Sequence, residues 1–214
     1  MILLIGGEKG GTGKTTIATN LAAMRARAGR DVLLVDTDIQ GSASFWVQTR
    51  DEASVEPRVA NVQKFGKNLA NELSDLAKRY QDIIIDAGGR DSAELRASLV
   101  RADLAVIPVQ ASQFDLWTLD RMDEMVKLAK SYNQGLRVKI LISRASTNPG
   151  VTEANNAAEL VEEFDTFALA DTIIRDRIAF RRAAAEGKGV TEMYDPETEK
   201  AAWEINKLYK EIYQ

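Results

Sequence analysis

A glycine-rich loop near the N-terminus constrains this chain more than any other stretch. Residues 6–16 read GGEKGGTGKTT. The loop follows an apolar run at positions 1–5, which has the length of a buried strand, and it precedes a segment typical of a helix from position 17. Strand, glycine loop and helix in this order are the context in which a loop binds phosphate. The sequence therefore predicts a phosphate-binding loop at this place.

The residue types in the loop match the chemistry of phosphate. Glycines let the backbone bend until successive N–H groups face phosphate oxygens, and the N-terminus of the following helix adds partial positive charge. Lys14 supplies a full cation for the β- and γ-phosphates, and the Thr15 hydroxyl is placed to ligate Mg²⁺. The candidate nucleotide-binding residues here are Gly10, Gly11, Thr12, Gly13, Lys14, Thr15 and Thr16.

The loop departs from the strict phosphate-loop pattern at one position. The pattern has glycine five residues before Gly13, where this chain has Glu8. A carboxylate close to phosphates would be repelled, so we expect the Glu8 side chain to point away from them. The alternative is an ordinary glycine-rich turn with a solvated lysine, but the flanking strand and helix favour the phosphate loop.

Composition excludes several classes of protein. The chain has no Cys, which excludes disulfides and iron–sulfur ligation, and no His, which excludes imidazole metal sites. The net charge of -4 argues against bulk nucleic-acid binding, though not against a local basic patch. No apolar run approaches about 18 residues, and the N-terminal apolar run lacks a basic region before it, so neither a membrane span nor a signal peptide is predicted. We expect a cytoplasmic protein.

Apolar strand-like runs alternate with helical segments along the whole chain. Besides the run at 1–5, strands are predicted at 31–36, 81–86, 103–109 and 138–143, and helices near 14–28, 67–80, 91–101, 114–132, 151–164, 176–186 and 197–213. The strands are apolar on both faces, as in a parallel sheet covered by helices on both sides. The pattern predicts one α/β domain over residues 1–214, doubly wound, with a mostly parallel sheet. Residues 50–66 could form a short strand or a loop.

Three aspartates follow predicted strands. Asp36 and Asp38 end the second strand, and Asp86 ends the strand at 81–86. Each alone would more often cap a helix or start a turn. Ligands of doubly wound sheets bind at the carboxyl ends of strands, so three carboxylates there beside a phosphate loop predict a Mg²⁺ site and an acceptor that orients attacking water.

The run KGGTGKT at 9–15 resembles the deviant Walker A box of the ParA/MinD family of ATPases. Residues 35–41, VDTDIQG, are similar to the second box of that family, and IIIDAGG at 83–89 stands in the place of its Walker B strand. The usual family form after the Walker B Asp is Thr-Pro or Ala-Pro, where this chain has Ala-Gly-Gly. The resemblance extends from Met1 to about Val190.

The resemblance implies the P-loop NTPase fold of the deviant Walker A type, an ATPase activity, ATP and Mg²⁺ as cofactors, and a homodimer formed with ATP. In that dimer Lys9 would reach the partner's nucleotide, so the implied catalytic residues are Lys9, Lys14 and Asp38, with Asp38 polarising the attacking water. Thr15, Asp36 and Asp86 would serve the metal, Asp86 through water and Asp36 through the metal shell or the switch.

Residues 170–190 resemble a late segment of the family, in which a loop passes the adenine and an Ala-rich helix ends at Glu-Gly-Lys. Arg144 would join this wall of the base, the alternative being a solvated loop residue. Between Arg175 and Lys188 this segment carries five cations against two anions, a local sum of +3 that could meet DNA without reading bases. These cations are Arg175, Arg177, Arg181, Arg182 and Lys188.

The branch of the family is predicted from the C-terminal residues. Positions 191–214 hold three Lys against six Asp and Glu, unlike a basic membrane-binding helix. Membrane binding is therefore disfavoured. No winged or helix-turn-helix extension precedes the first strand, so the chain resembles short ParA proteins, without an operator-binding domain, that partition plasmid, chromosome or other cargo through a ParB-like adaptor and associate with the nucleoid. The alternatives are a MinD-like membrane-surface ATPase and a metabolic P-loop ligase of the dethiobiotin-synthetase type. Lys9 and the Asp-x-Asp-x-Gln box argue against the ligase.

Overall fold

The fold is described from a computed structural model, which covers residues 1–110, 116–148 and 159–214. In these residues seven strands form one all-parallel sheet in the order β3-β2-β4-β1-β5-β6-β7. The strands are β1 (Ile2–Ile5), β2 (Val32–Asp36), β3 (Ala60–Gln63), β4 (Asp82–Asp86), β5 (Leu104–Gln110), β6 (Arg137–Ala145) and β7 (Ala168–Arg175). Strand β1 lies between β4 and β5, so the glycine loop leaves the middle of the sheet.

Helices cover both faces of this sheet. They are α1 (Lys14–Arg27), α2 (Ser42–Glu52), α3 (Leu69–Leu76), α4 (Ala93–Arg101), α5 (Leu116–Tyr132), α6 (Ile178–Ala185) and α7 (Glu199–Tyr213), with a 3₁₀ turn at Val190–Glu192. One apolar core joins α1, α2, α6 and α7 to the sheet, and a second joins α3, α4 and α5 to it. The predicted doubly wound α/β fold with a parallel sheet is confirmed.

The predicted strands and most predicted helices agree with the observed elements to within a few residues. The central strands β2 and β4 are buried at every position, which explains their continuous apolar sequence. The helix predicted over 151–164 lies mostly outside the described residues, as does the start of the helix predicted over 114–132.

Three elements were not predicted as such. Helix α2 was missed because its sequence, SASFWVQTRDE, mixes weak helix formers with aromatic residues and shows little amphipathic character. Strand β7 stands where the family resemblance implies a loop, and its burial alternates as in a half-covered edge strand. Strand β3 lies within residues 50–66, for which the sequence predicts a short strand or a loop, and it is a short, largely exposed edge strand. None of the helices in the described parts of the chain is long and apolar enough to cross a bilayer.

A buried ion pair attaches α2 to the 3₁₀ turn. Arg50 is fully buried, and its guanidinium donates two hydrogen bonds of 2.8 Å to the carboxylate of Glu192. The same guanidinium also donates to the carbonyl oxygens of Pro57 and Gly187. Every donor direction of this cation is therefore used inside the protein, and the pair connects residues 50–57 with the distant segment at 187–192.

Replacing Glu192 by Ala is expected to lower the free energy of unfolding by about 3 to 5 kcal/mol, because it leaves a buried guanidinium without its counter-charge. Urea denaturation followed by circular dichroism measures the change. Arg58→Ala is the matched control, since it removes an ion pair with Asp51 that is exposed to solvent and should change stability little. Equal effects of the two substitutions would contradict this account.

Candidate nucleotide-binding site

A cleft of about 390 Å³ opens at the carboxyl edge of the sheet, where the glycine loop ends. The glycine loop and the start of α1 form one wall, and the end of β7 with the start of α6 forms the opposite wall. Of the predicted site residues, eleven line this cleft: Gly10, Gly11, Gly13, Lys14, Thr15, Thr16, Asp38, Arg144, Arg175, Arg177 and Arg181. Lys9 and Thr12 instead line a smaller neighbouring cavity.

The glycine loop has the backbone that its sequence predicts. Gly11 and Gly13 have φ values of +74° and +88°, in the left-handed region that glycine adopts without strain. Lys14 follows as the first residue of α1, is only 7% exposed, and donates from Nζ to the carbonyl oxygen of Lys9 at 2.6 Å. Burial lowers the pKa of Lys14, while the charges of Asp86 and Asp38 act in the opposite direction. The loop thus folds around its own lysine.

Thr15 and Asp86 meet at the floor of the site. The Thr15 hydroxyl donates to Asp86 Oδ2 at 2.7 Å, and Asp86 is 1% exposed at the end of β4. The other carboxylate oxygen, Oδ1, is buried and has no hydrogen-bond partner among the described residues. Burial raises the pKa of Asp86 to about 7, with Asp36 and Asp38 acting in the same direction and Thr15 and Lys14 opposing.

This raised pKa predicts a pH dependence of stability. The folded state holds the Asp86 proton up to about pH 7, whereas the unfolded chain loses it near pH 4, so the free energy of unfolding falls as pH rises through that window. Asparagine does not titrate, so Asp86→Asn removes this fall in stability. The melting temperature of the variant relative to wild type should therefore rise between pH 5 and pH 8. The chain has no His to titrate in that range.

The measurement is thermal melting of both proteins in EDTA without nucleotide, at several pH values. Ser98→Ala is a suitable control, since Ser98 is buried but does not titrate. If the difference in melting temperature between Asp86→Asn and wild type does not change with pH, the raised pKa of Asp86 is contradicted.

Asp36 is the last residue of β2 and Asp38 lies on the loop after it, and the two differ in their surroundings. Asp36 is fully buried, and its oxygens accept hydrogen bonds from the backbone N–H of Asp38 and from the N–H and hydroxyl of Ser44 in α2. It therefore anchors the first turn of α2, and its metal role remains a prediction. Asp38 lines the cleft and accepts a hydrogen bond from the N–H of Gln40.

The two departures from family motifs have a structural context. A Cβ atom on Gly89 would lie 2.6 Å from the Cα of Gly10, so the loop after β4 touches the phosphate loop where only glycine fits. The Glu8 carboxylate lies 3.9 Å from Arg121 of α5 and does not line the cleft. This position agrees with the expectation that Glu8 points away from bound phosphate.

Arg144 crosses from β6 to the glycine loop. Its guanidinium donates to the carbonyl oxygen of Gly11 at 2.7 Å and lies 3.3 Å from Asp176, on the opposite wall. Its own φ is +51°, which is uncommon for a residue other than glycine and typical of functional positions. Arg144 is therefore not a freely solvated loop residue.

The cations predicted for DNA are all ion-paired in this structure. The pairs are Arg175 and Arg177 with Glu204, Arg181 with Asp176, Arg182 with Glu197, and Lys188 with Glu186. Arg181 is the most exposed of the four arginines, with a side chain 65% exposed. Neutralising partners reduce the net field of the segment, and the DNA role stays a prediction.

Several cleft residues were not predicted. Gln40, Ser42 and Phe180 line the cleft, and Glu204 holds two of its arginines. Gln40 belongs to the box at 35–41, so the motif could have indicated it. Phe180 and Glu204 carry no such signal, because their positions depend on packing of α6 and α7 that the sequence does not show.

A glycine loop around a buried lysine, with a Thr–Asp pair on the floor of its cleft, defines a P-loop nucleotide-binding protein. Residues 3–190 match the family described as the CobQ/CobB/MinD/ParA nucleotide binding domain. The chain belongs to this family.

Individual relatives agree with that assignment. The chain is 32% identical to the maintenance of carboxysome distribution protein A of Gloeobacter kilaueensis, over 95% of this chain and 90% of that protein. Among solved structures, a putative plasmid partition protein of Borrelia burgdorferi with bound AMPPNP superposes with a TM-score of 0.71, at 21% identity and 98% coverage of both chains. The septum site-determining protein MinD of Pyrococcus horikoshii with Mg-ADP gives 0.70, at 18% identity, covering 100% of this chain and 95% of that one.

Members of the ParA and MinD branches are ATPases, and this chain is an ATPase with ATP and Mg²⁺ as its cofactors. The residues present fit both groups. The buried, unpartnered Oδ1 of Asp86 beside the Thr15 hydroxyl is an oxygen donor set of the kind that Mg²⁺ prefers. The glycine loop and Lys14 supply N–H groups and a cation for phosphate.

Proposed function

We propose that this chain is a ParA-like cargo-positioning ATPase that acts as one P-loop domain over residues 1–214. ATP and Mg²⁺ join two subunits, Lys9 of each reaches the nucleotide of its partner, and the dimer binds DNA without sequence preference. A ParB-like or other adaptor on the cargo stimulates hydrolysis and releases the dimer. The observation that carries this proposal is the cleft lined by the glycine loop and Asp38, with the buried Asp86 hydrogen-bonded to the Thr15 hydroxyl of that lining.

The residues of the cleft have separate tasks in this mechanism. Lys14 and the N–H groups of residues 10–16 bind the triphosphate, and Thr15 with Asp86 would hold Mg²⁺, which neutralises phosphate charge when bound. Asp38 stands on the same cleft without touching the glycine loop's lysine, so it is available to accept a proton from water and orient it. Asp36 keeps the Asp38 loop in place through its hydrogen bond to the backbone of Asp38.

The proposal that the protein positions a large cargo is based on its relatives and not on the residues of the site. The Gloeobacter relative is named for carboxysome distribution and the Borrelia structure for plasmid partition, and both are consistent with positioning of a large cargo. We propose a cytoplasmic, nucleoid-associated protein. In the described residues the apolar stripe of α7, at Ile205, Leu208 and Ile212, is buried in the core, which argues against a MinD-like helix that inserts into a membrane.

Arg181→Ala combined with Arg182→Ala is expected to weaken binding to any duplex sequence and to reduce the dependence of affinity on salt. Each neutralised phosphate contributes about -0.9 to the slope of log affinity against log salt, and an ATP dimer doubles the number of contacts. Binding of a fluorescent duplex in ATP and Mg²⁺, titrated with salt, measures the slope. Arg58→Ala removes an exposed arginine away from this segment and is the control.

Helix α7 offers a second cationic surface for DNA, and the salt titration distinguishes it from the Arg181–Arg182 site. The exposed residues of α7 include Lys200, Lys207, Lys210 and Trp203 but also Glu199, whereas Glu204 is buried and Glu211 is half-buried. An unchanged salt slope in the arginine variant would move the duplex site to another surface, with this face as the next to test. No duplex binding by the wild type at low salt would reject the partition function, and ATP-dependent binding to anionic vesicles instead would favour the MinD-like alternative.

A further inference from the structure

Helix α7 carries a buried carboxylate that reaches the wall of the nucleotide cleft. Glu204 is 1% exposed. Its Oε1 accepts hydrogen bonds from Arg177 Nε at 3.0 Å and Nη2 at 2.6 Å, and from Arg175 Nη1 at 3.4 Å. Its Oε2 accepts from the backbone N–H of Arg175 at 3.1 Å. One carboxylate thus fixes two guanidinium groups and the end of β7.

Both arginines line the cleft opposite the glycine loop. The Arg177 side chain is 19% exposed and that of Arg175 is 37% exposed, so each is partly enclosed by the wall yet open to the cavity. A planar guanidinium held by a charge-assisted pair keeps one orientation, whereas an unpaired one samples many rotamers. The orientation of this wall therefore depends on a residue that does not itself line the cleft.

We propose that Glu204 is a positioning residue for nucleotide binding, which acts by holding Arg175 and Arg177 against the cleft wall. The inference rests on the proposed role of this cleft as the nucleotide site. Because the two arginines are already held in place, ATP binding would cost less side-chain conformational entropy. Glu204 contributes to affinity for ATP and not to the chemical step, because it lies behind the arginines and away from Asp38.

Glu204→Gln tests this idea with little change of shape. Glutamine keeps an acceptor oxygen but loses the charge that holds Arg177, so we expect the Kd and KM for ATP to rise about tenfold, with kcat at saturating ATP within about twofold of wild type. Fluorescence titration with a labelled ATP and steady-state phosphate release give the two quantities. An unchanged Kd and KM, or a fall in kcat without a change in KM, would overturn the proposal.

The same helix offers a matched control. Glu211, two turns further on, accepts hydrogen bonds from Lys139 Nζ at 2.7 Å and the Thr172 hydroxyl at 2.9 Å. Neither Lys139 nor Thr172 lines the cleft. Glu211→Gln should lower thermal stability about as much as Glu204→Gln does, while leaving the KM for ATP unchanged. Equal increases of KM in both variants would mean that α7 has only loosened, and would refute a specific role of Glu204.

A second variant keeps the test valid if Glu204→Gln does not fold. Arg177→Gln changes a residue that is less buried, and it should raise the Kd for ATP to the same extent. Since Glu204 acts partly through Arg177, the double variant should lose less ATP affinity than the two single losses added together, and fully additive losses would contradict the proposal. Lys14→Ala distinguishes failure of the nucleotide-site assignment from failure of the Glu204 inference. If Lys14→Ala binds ATP normally, the cleft is not the nucleotide site. If Lys14→Ala fails to bind ATP while Glu204→Gln binds it like wild type, only the role of Glu204 is rejected.

Discussion

Asp38→Ala should bind ATP with the affinity of wild type and hydrolyse it at least about a hundredfold more slowly. A positioned general base contributes roughly 10² to 10⁴ to a rate, and the substitution removes it. Binding persists because the phosphates are held by Lys14 and the N–H groups of the glycine loop, which Asp38 does not touch. Phosphate release under saturating ATP measures turnover, and the variant should accumulate as an ATP-bound dimer.

Asp38→Asn distinguishes the chemistry of the side chain from its structural role. Asparagine can still accept the hydrogen bond from the N–H of Gln40, so the loop should keep its shape, yet it is a far weaker proton acceptor. We therefore expect Asp38→Asn to be as slow as Asp38→Ala. Undiminished hydrolysis in either variant would reject Asp38 as the group that orients water.

The sequence predicts the centre of this fold better than its margins. Strands β1, β2, β4 and β5 are buried on both faces, so their apolar runs are continuous and easy to recognise. Strand β7 is covered on one side by α7, and its sequence, ALADTIIR, shows neither a continuous apolar run nor a regular alternation of apolar and polar residues. Helix α2 starts after Gly41 in a left-handed conformation and takes its stability from burial of Trp46 and Arg50 rather than from helix propensity.

The same division applies to the site. The glycine loop is a local motif, so its phosphate-binding residues follow from their spacing, whereas the role of Lys9 is implied only by the family resemblance. The contacts that the sequence could not reveal join residues far apart in the chain: Arg50 with Glu192, Gly89 against Gly10, and Glu204 with Arg177. Such contacts depend on how elements pack, and a lone glutamate in a helix has no pattern that distinguishes a buried partner from a solvated one.

Lys14→Ala is expected to weaken ATP binding by at least about a hundredfold. The ammonium makes charge-assisted hydrogen bonds to phosphate oxygens, each of which contributes about 1.5 to 3 kcal/mol. The protein should stay folded, because Lys14 is buried with a lowered pKa and its removal relieves a desolvation cost. Equilibrium binding of a fluorescent ATP analogue measures affinity, with the melting temperature as the check on folding. Affinity close to wild type would contradict the phosphate role of this lysine.

Lys9→Ala provides the matched contrast within the same loop. Lys9 contributes its backbone carbonyl to Lys14, and alanine keeps that carbonyl, so each subunit should still bind ATP. If the Lys9 side chain contacts the partner's phosphates, the variant remains a monomer in ATP and Mg²⁺, whereas the wild type dimerises. Light scattering with and without ATP distinguishes the two. A Lys9→Ala protein that dimerises like wild type would reduce the second lysine of the loop to an ordinary surface residue and remove the main argument for a subunit-bridging site.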